Sequence, residues 1–348
     1  MNPYILASLL FGLLLGTTIT TTSAHWLIAW MGLEINTLAI IPLMAQQHHP
    51  RAIEATTKYF LTQAAAAATL LLAATTNAWM TGQWELQQMT HPIPTTMITI
   101  ALALKIGLAP LHTWLPEVMQ GLNLTTGLIL ATWQKIAPFS LLLQIQPNNQ
   151  TLLILLGIAS MLVGGWGGLN QTQVRKILAY SSIAHLGWMT IILQFSPALS
   201  LMTLALYLVM TASTFLVFML NKTTTIGSLT ISWAKTPIVT SLMPLVLLSL
   251  GGLPPLTGFM PKWLILQELT KQDLGMTATV AALSALLSLY FYLRLSYAMA
   301  LTIAPNNLTG TLPWRAQNNK KNLPAAVLMS SSLLLLPLTP EVLTLFTP

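Results

Sequence analysis

Four ionisable residues lie deep in apolar sequence: Glu34 in WLIAWMGLEINTLAIIPL, Lys105 in ITIALALKIGLAPLHTW, Lys135 in LILATWQKIAPFSLLL and Lys262 in SLGGLPPLTGFMPKW. One carboxylate and three amines form a kit for passing protons. Taking an ammonium out of water favours its neutral form, and a nearby carboxylate favours the charged form again. Moving or screening the carboxylate therefore switches such a lysine between holding and releasing a proton. Hydrolysis fits poorly, because no serine–histidine–acid triad is legible. His112 and His185 are further relay candidates, since imidazole titrates closest to neutral pH.

Most of these residues have a structural alternative. For Glu34 it is half of a structural ion pair, and for Lys105 a lysine snorkelling to a headgroup. His112 and His185 each suit a hydrogen-bonded core histidine. Lys262 stands beside Trp263 at the expected end of its span, where an interfacial lysine is ordinary. Lys176 follows Arg175 at a loop–helix edge, so topology explains it better than chemistry, and Arg294 is expected to snorkel or to pair across helices. Against these readings stands the cost of an ionisable group at mid-membrane, about 2.5–3.5 kcal/mol on translocon scales.

The elements that must position these residues follow from composition. Of 348 residues, 54% are hydrophobic and only 6% charged, and the mean hydropathy is +0.70. Soluble domains carry about 25% charged residues. So little charge cannot cover a surface facing water, and lipid must be the solvent. A spanning helix needs about 20 mostly apolar residues. The expected spans are 3–22, 25–46, 59–79, 96–117, 122–143, 150–169, 177–196, 200–220, 239–262, 275–300 and 324–346, about 11 helices in a single all-α membrane domain, 1–348. Runs such as LLILLGIASMLVGG do not alternate, which excludes a transmembrane barrel.

Basic residues orient the chain. Loops following even-numbered spans hold Arg51, Lys58, Arg175, Lys176, Lys222, Lys235, Arg315, Lys320 and Lys321, whereas odd-numbered loops hold only Lys271. The N-terminus and the even loops are expected on the cytoplasmic or matrix side. The net charge of +7 is thereby a matter of topology. A nucleic-acid footprint would need a clustered basic face.

Glycine and proline predict breaks beside the charges. Gly107 and Pro110 interrupt the span of Lys105, and SLGGLPPLTGFMPKW is the most broken stretch in the chain. Broken helices at membrane depth expose carbonyls and admit water. In a regular helix, the seven-residue spacing of Lys105 and His112 would put both on one side. QAAAAAT at 63–69 and GGWGG at 164–168 read as small-residue packing surfaces. Residues 304–324 form the most polar loop, and Lys320 and Lys321 suit lipid phosphates. The His48–His49 pair sits in a polar loop and reads as solvated. No P-loop, dinucleotide fingerprint or HExxH occurs, and the five N-x-T matches are what abundant threonine yields by chance. Without cysteine the chain forms no disulfide, thiolate zinc site or cysteine-ligated iron–sulfur cluster. The start MNPYILASLLFG has neither a basic n-region nor an arginine-rich amphipathic stretch, so the first helix is expected to be retained.

The stretches MNPYILASLLFGLLLGT, WLIAWMGLEINTLAIIPLM, ALKIGLAPLHTWLPEV, YSSIAHLGWM and LLSLGGLPPLTGFMPKW resemble the antiporter-like subunits of respiratory complex I, the vertebrate form encoded in mitochondrial DNA above all. The resemblance implies an antiporter-like helix bundle with inverted repeats and two broken helices. It also implies the loss of three family helices, which leaves 11. It puts the family's glutamate–lysine pair on Glu34 and Lys105, the central lysine on Lys135, the second-break residue on Lys262, and axis histidines on His112 and His185. The function implied is proton translocation across the mitochondrial inner membrane, coupled to NADH-to-ubiquinone electron transfer in other subunits. No cofactor is expected on this chain: NAD, FMN, iron–sulfur clusters and ubiquinone belong to partners. Expected partners are other membrane-arm and accessory subunits and membrane lipids, cardiolipin among them. The rival readings are a cation/proton antiporter subunit and a non-pumping scaffold of the membrane arm.

Overall fold

The computed structural model describes residues 2–46, 49–89, 91–146, 149–302 and 322–346. Among them every regular element is helical, and the only strand-like features are two isolated bridges, His25–Glu85 and Gln173–Thr225. The chain divides into two compact units, Met1–Leu156 and Gly157–Pro348.

The first unit comprises α1 (Pro3–Thr22), α2 (Trp26–Met44), α3 (Pro50–Thr81), α4 (Pro92–Ile106), α5 (Trp114–Gly121), α6 (Leu124–Ala131) and α7 (Trp133–Ile145). Proline opens α1, α3 and α4, where its missing N–H costs nothing. His49 is not simply solvated: its Nδ1 accepts from the Arg51 N–H at 3.2 Å and caps α3. His48 lies outside the described residues. α1 and α2 cross at Gly16 and Gly32, where a Cβ on Gly16 would come 2.8 Å from the Gly32 carbonyl. The alanine stripe also packs as expected: Ala66 and Ala67 are buried, and Trp30 Nε1 donates to the Ala67 carbonyl at 3.2 Å. At 32 residues α3 is about 48 Å long, well over a ~30 Å hydrocarbon core. Lys58, near its start, bridges Glu54 and Glu117 at 2.8 Å each.

α8 (Gln150–Gly168) begins in the first unit and continues into the second. There follow α9 (Val174–Ile192), α10 (Pro197–Asn221), α11 (Ile226–Thr230), α12 (Ser232–Lys235), α13 (Pro237–Gly251), α14 (Phe259–Lys271), α15 (Gly275–Ala300), α16 (Asn322–Leu334), a short 3₁₀ turn (Leu336–Leu338) and α17 (Thr339–Phe346). The GGWGG stripe packs as read: a Cβ on Gly164 would meet the backbone of α9, and one on Gly168 the ring of Phe291 on α15. Arg294 pairs across helices, its Nη1 donating to the Leu169 carbonyl at 2.7 Å.

Among the described residues, seven helices are long and apolar enough to cross a membrane, and three shorter apolar ones, α4, α13 and α16, accompany them. The expected spans differ from these elements in five places. Span 59–79 begins at Pro50, so Arg51 and Lys58, expected in a loop, stand on α3. Span 96–117 is two helices, α4 and α5, because Gly107 takes the left-handed conformation (φ 87°). Span 122–143 is offset at Thr132. Span 239–262 breaks at Gly252 (φ 80°) and runs on as α14 to Lys271, so it does not end at Lys262. Span 324–346 is split by a 3₁₀ turn around Pro337. The loop at 304–324, with Arg315, Lys320 and Lys321, lies outside the described residues up to 321.

Candidate functional site

In the first unit the helix break carries Lys105. Its backbone belongs to the last turn of α4, and Gly107 closes that helix by donating to the Ala103 carbonyl at 2.9 Å. A helix that stops leaves its final carbonyls without partners. Two are taken by side chains from neighbouring helices: Trp114 Nε1 donates to the Leu104 carbonyl at 3.1 Å, and Gln63 Nε2 to the Lys105 carbonyl at 3.5 Å. The peptide between Ala109 and Pro110 is cis. These contacts fix the backbone from which Lys105 extends. Its side chain is 6% exposed, and Nζ has no hydrogen-bond partner among the described residues. It extends from the C-terminal turn of α4, within electrostatic reach of Glu34 on α2. Glu34 makes no direct ion pair with it; its carboxylate accepts from the Thr37 hydroxyl at 3.4 Å.

Lys135 lies in the first turn of α7 and is 2% exposed. Three residues on, Pro138 removes the helical donor for the Gln134 carbonyl. Lys105 and Lys135 line one cavity of about 20 Å³, with Tyr59, Gln63, Asn36 and Gln134. A space of roughly 10–15 Å³ already holds one water. Gln134 Nε2 donates to Asn36 Oδ1 at 2.9 Å, joining α7 to α2 at the cavity wall. Glu34 stands beside this wall, on the helix that supplies Leu33, Asn36 and Thr37 to it.

The second unit holds Lys262, in the first turn of α14, 9% exposed. Its Nζ donates to the carbonyl of Gly251, the last residue of α13, at 2.8 Å. It is therefore a buried lysine at a helix break, and not the interfacial one that its place beside Trp263 suggested. Gly252 makes room for it: a Cβ there would lie 2.9–3.1 Å from Lys262 Cδ, Nζ and Cε. His185, on α9, shares a second cavity of about 20 Å³ with Lys262 and Tyr207. The Tyr292 hydroxyl lies 3.5 Å from His185 Nε2, and the rings of His185 and Tyr207 are 5.5 Å apart.

Of the sequence-derived candidates, the fold thus groups Glu34, Lys105 and Lys135 in one unit and Lys262 and His185 in the other. His112 stands apart. The helix is broken between positions 105 and 112, so the seven-residue spacing puts them on no common face. His112 is half-buried on the connecting turn, its Nδ1 3.3 Å from the Pro110 carbonyl, and it does not line the Lys105 cavity. Sequence reasoning missed Asn36, Gln63, Gln134 and Trp114. The first three carried a usable signal, being amides inside apolar spans. Among the described residues, no group of three or more His, Cys, Asp or Glu is placed to hold a metal ion.

Comparison with known proteins matches residues 23–288 to the NADH:quinone oxidoreductase/Mrp antiporter transmembrane family and residues 289–343 to the NADH dehydrogenase subunit 2 C-terminus. The chain is 80% identical to the NADH-ubiquinone oxidoreductase chain 2 of Tetraodon nigroviridis, over 99% of both chains. It is 65% identical to the chain of the same name from Gadus morhua over the full length of both. Among solved structures, a chain of respiratory complex I from Thermus thermophilus is 28% identical, with a TM-score of 0.81 over 94% of this chain and 78% of that one. A chain of the Mrp complex from Dietzia shares the fold, with a TM-score of 0.79 at 16% identity over 95% of this chain and 74% of that one. The all-helical membrane bundle agrees with these matches, and the chain belongs to the NADH:quinone oxidoreductase/Mrp antiporter family, in its NADH-ubiquinone oxidoreductase chain 2 branch.

Proposed function

We propose that Glu34, Lys105 and Lys135 pass protons within a membrane subunit of complex I. The chain is a multi-pass subunit of NADH:ubiquinone oxidoreductase, and its fold is that of proton-translocating antiporter-like subunits. One observation carries the residue assignment: two buried lysines face a single water-sized cavity, and one of them keeps an unpartnered ammonium within reach of a carboxylate's charge. An unpartnered buried ammonium is costly. Energy released by electron transfer in partner subunits alters the Glu34–Lys105 interaction. Lys105 then gives its proton through water in the cavity to Lys135, which becomes an ammonium as Lys105 becomes an amine. Lys262 and His185 form the station of the second unit and exchange protons onward.

On this reading residues 1–348 work as a single antiporter-like domain. The chain holds no redox centre, and NAD, FMN, iron–sulfur clusters and ubiquinone reside on partner subunits. The setting is the mitochondrial inner membrane, with the N-terminus and the basic loops in the matrix. The partners are the other membrane-arm and accessory subunits, together with lipids, cardiolipin included. The test replaces Lys135 by methionine in the assembled complex and counts protons moved per electron. The expected result is a reduced stoichiometry with electron transfer still measurable. An unchanged stoichiometry overturns the assignment and favours a scaffold role. Sodium-dependent flux without a redox assembly favours an antiporter.

A further inference from the structure

In the second unit, α10, α13 and α16 leave an apolar groove of about 380 Å³ between them. Ile238 and Leu242 of α13 and Met329 and Leu334 of α16 form its walls, and Leu220 and Asn322 stand at its rim. The rim is the end at which α10 finishes and α13 and α16 begin, and the Thr236 hydroxyl bonds Asn221 there. We propose that this groove holds one acyl chain of an anionic phospholipid whose headgroup lies at Lys222. The proposal deepens the lipid contact named above and leaves the proton route untouched.

Length and width both select a hydrocarbon chain. From Asn322 to Leu334 the wall of α16 descends about 18 Å, slightly more than half of a ~30 Å hydrocarbon core, hence one leaflet. Over that length 380 Å³ makes a slim trough, which suits a single extended chain of methylenes better than a helix 10–12 Å across. Ile238 and Leu334 are 76% and 71% exposed, so the groove opens toward lipid along its side.

Charge selects the headgroup. Lys222 is exposed two residues beyond Leu220. The sequence from 222 to 236 contains no acidic residue, so nothing in it opposes a phosphate. Basic residues at the matrix-side ends of helices attract anionic lipid. Lys320 and Lys321 precede Asn322 in sequence, but they lie outside the described residues and form no part of the site.

The test uses the purified, assembled complex and two lipids with a photoactivatable diazirine in the acyl tail, a phosphatidylglycerol and a phosphatidylcholine. After illumination, labelled peptides are located by mass spectrometry. Labelling of α13 and α16 at the groove is expected from the phosphatidylglycerol about fivefold above the phosphatidylcholine, the preference that one lysine near an anionic group provides. Lys222→Gln should bring the ratio close to one, and Met329→Trp, which fills the groove, should abolish labelling by both lipids. Equal labelling by the two lipids in the wild-type complex overturns the headgroup assignment and leaves ordinary surrounding lipid. No labelling by either overturns the site. Proton-per-electron stoichiometry measured on the same preparations keeps a failed lipid assignment distinct from a failed proton route.

Discussion

At the first break Lys105 precedes the left-handed glycine and extends from the end of α4, while Trp114 and Gln63 take the freed carbonyls. At the second, Lys262 follows the left-handed glycine, and the lysine itself takes the carbonyl of Gly251. The settings are otherwise parallel. α1, α2 and α3 precede the break of α4 and α5, as α8, α9 and α10 precede that of α13 and α14. In each unit a short backbone bridge ties the segment before the second helix to the segment after the third, His25–Glu85 in one and Gln173–Thr225 in the other. One architecture thus supports two kinds of buried ammonium. Lys105 has no direct hydrogen-bond partner among the described residues and feels Glu34 only at a distance. Lys262 is held locally, by its bond to the Gly251 carbonyl across the break.

The most severe test of this contrast is Gly258→Ala. A Cβ there would lie 1.7 Å from the Ser249 carbonyl, and backbone on both sides leaves nothing to yield. The expected cost exceeds about 4 kcal/mol, seen as loss of the assembled complex on native gels. No glycine of the first break is packed so tightly, so an assembled, stable Gly258→Ala complex would remove the claim that the second break is the tighter one.

Gly252→Ala and Gly107→Ala form the next pair. Both put a side chain at positive φ, which costs roughly 1–2 kcal/mol. At Gly107 the new Cβ meets Trp114 and Leu115 at an ordinary 3.4 Å, whereas at Gly252 it collides with Lys262. Gly252→Ala should therefore lower the thermal midpoint of the complex by clearly more than Gly107→Ala. Equal shifts would mean that Lys262 moves aside freely.

The third pair exchanges each lysine for methionine. Lys262→Met leaves the buried Gly251 carbonyl without its donor and should destabilise by about 1–3 kcal/mol. Lys105→Met removes an unpartnered buried ammonium and should leave the midpoint unchanged or raise it. Opposite signs in a melting experiment sharpen the contrast, and a shared sign breaks it. The smallest effect is expected from Trp114→Phe, which keeps the ring packed against Tyr59 but drops the bond to Leu104. That change should cost about 1 kcal/mol, read as faster hydrogen exchange at the end of α4.

Much of this was legible in the residues alone. Lys105, Lys135 and Lys262 betray themselves because an apolar run has no local use for an ammonium. Gly107 and the GGLPP stretch mark the breaks because glycine and proline act on the backbone at their own positions. Partners were not legible. That Gln63 caps Lys105, or that Gln134 reaches Asn36, depends on which helix faces which, and no periodicity carries that information. Gln63 opens the alanine run read as a packing surface, and it is the polar member of that surface. His112 misled because a seven-residue spacing implies a common face only where the helix continues, and here Gly107 turns the chain first. Lys262 stands at the edge of its expected span for a related reason: glycine, proline and a charge together read as an end, although α14 carries on for nine further residues to Lys271.

The Lys262–Gly251 contact has a mechanical consequence. It clasps two half-helices across a kink, and a cationic donor grips a carbonyl roughly twice as hard as a neutral one. On the proposed proton route, a proton on this amine would tighten the clasp and its loss would slacken the joint between α13 and α14.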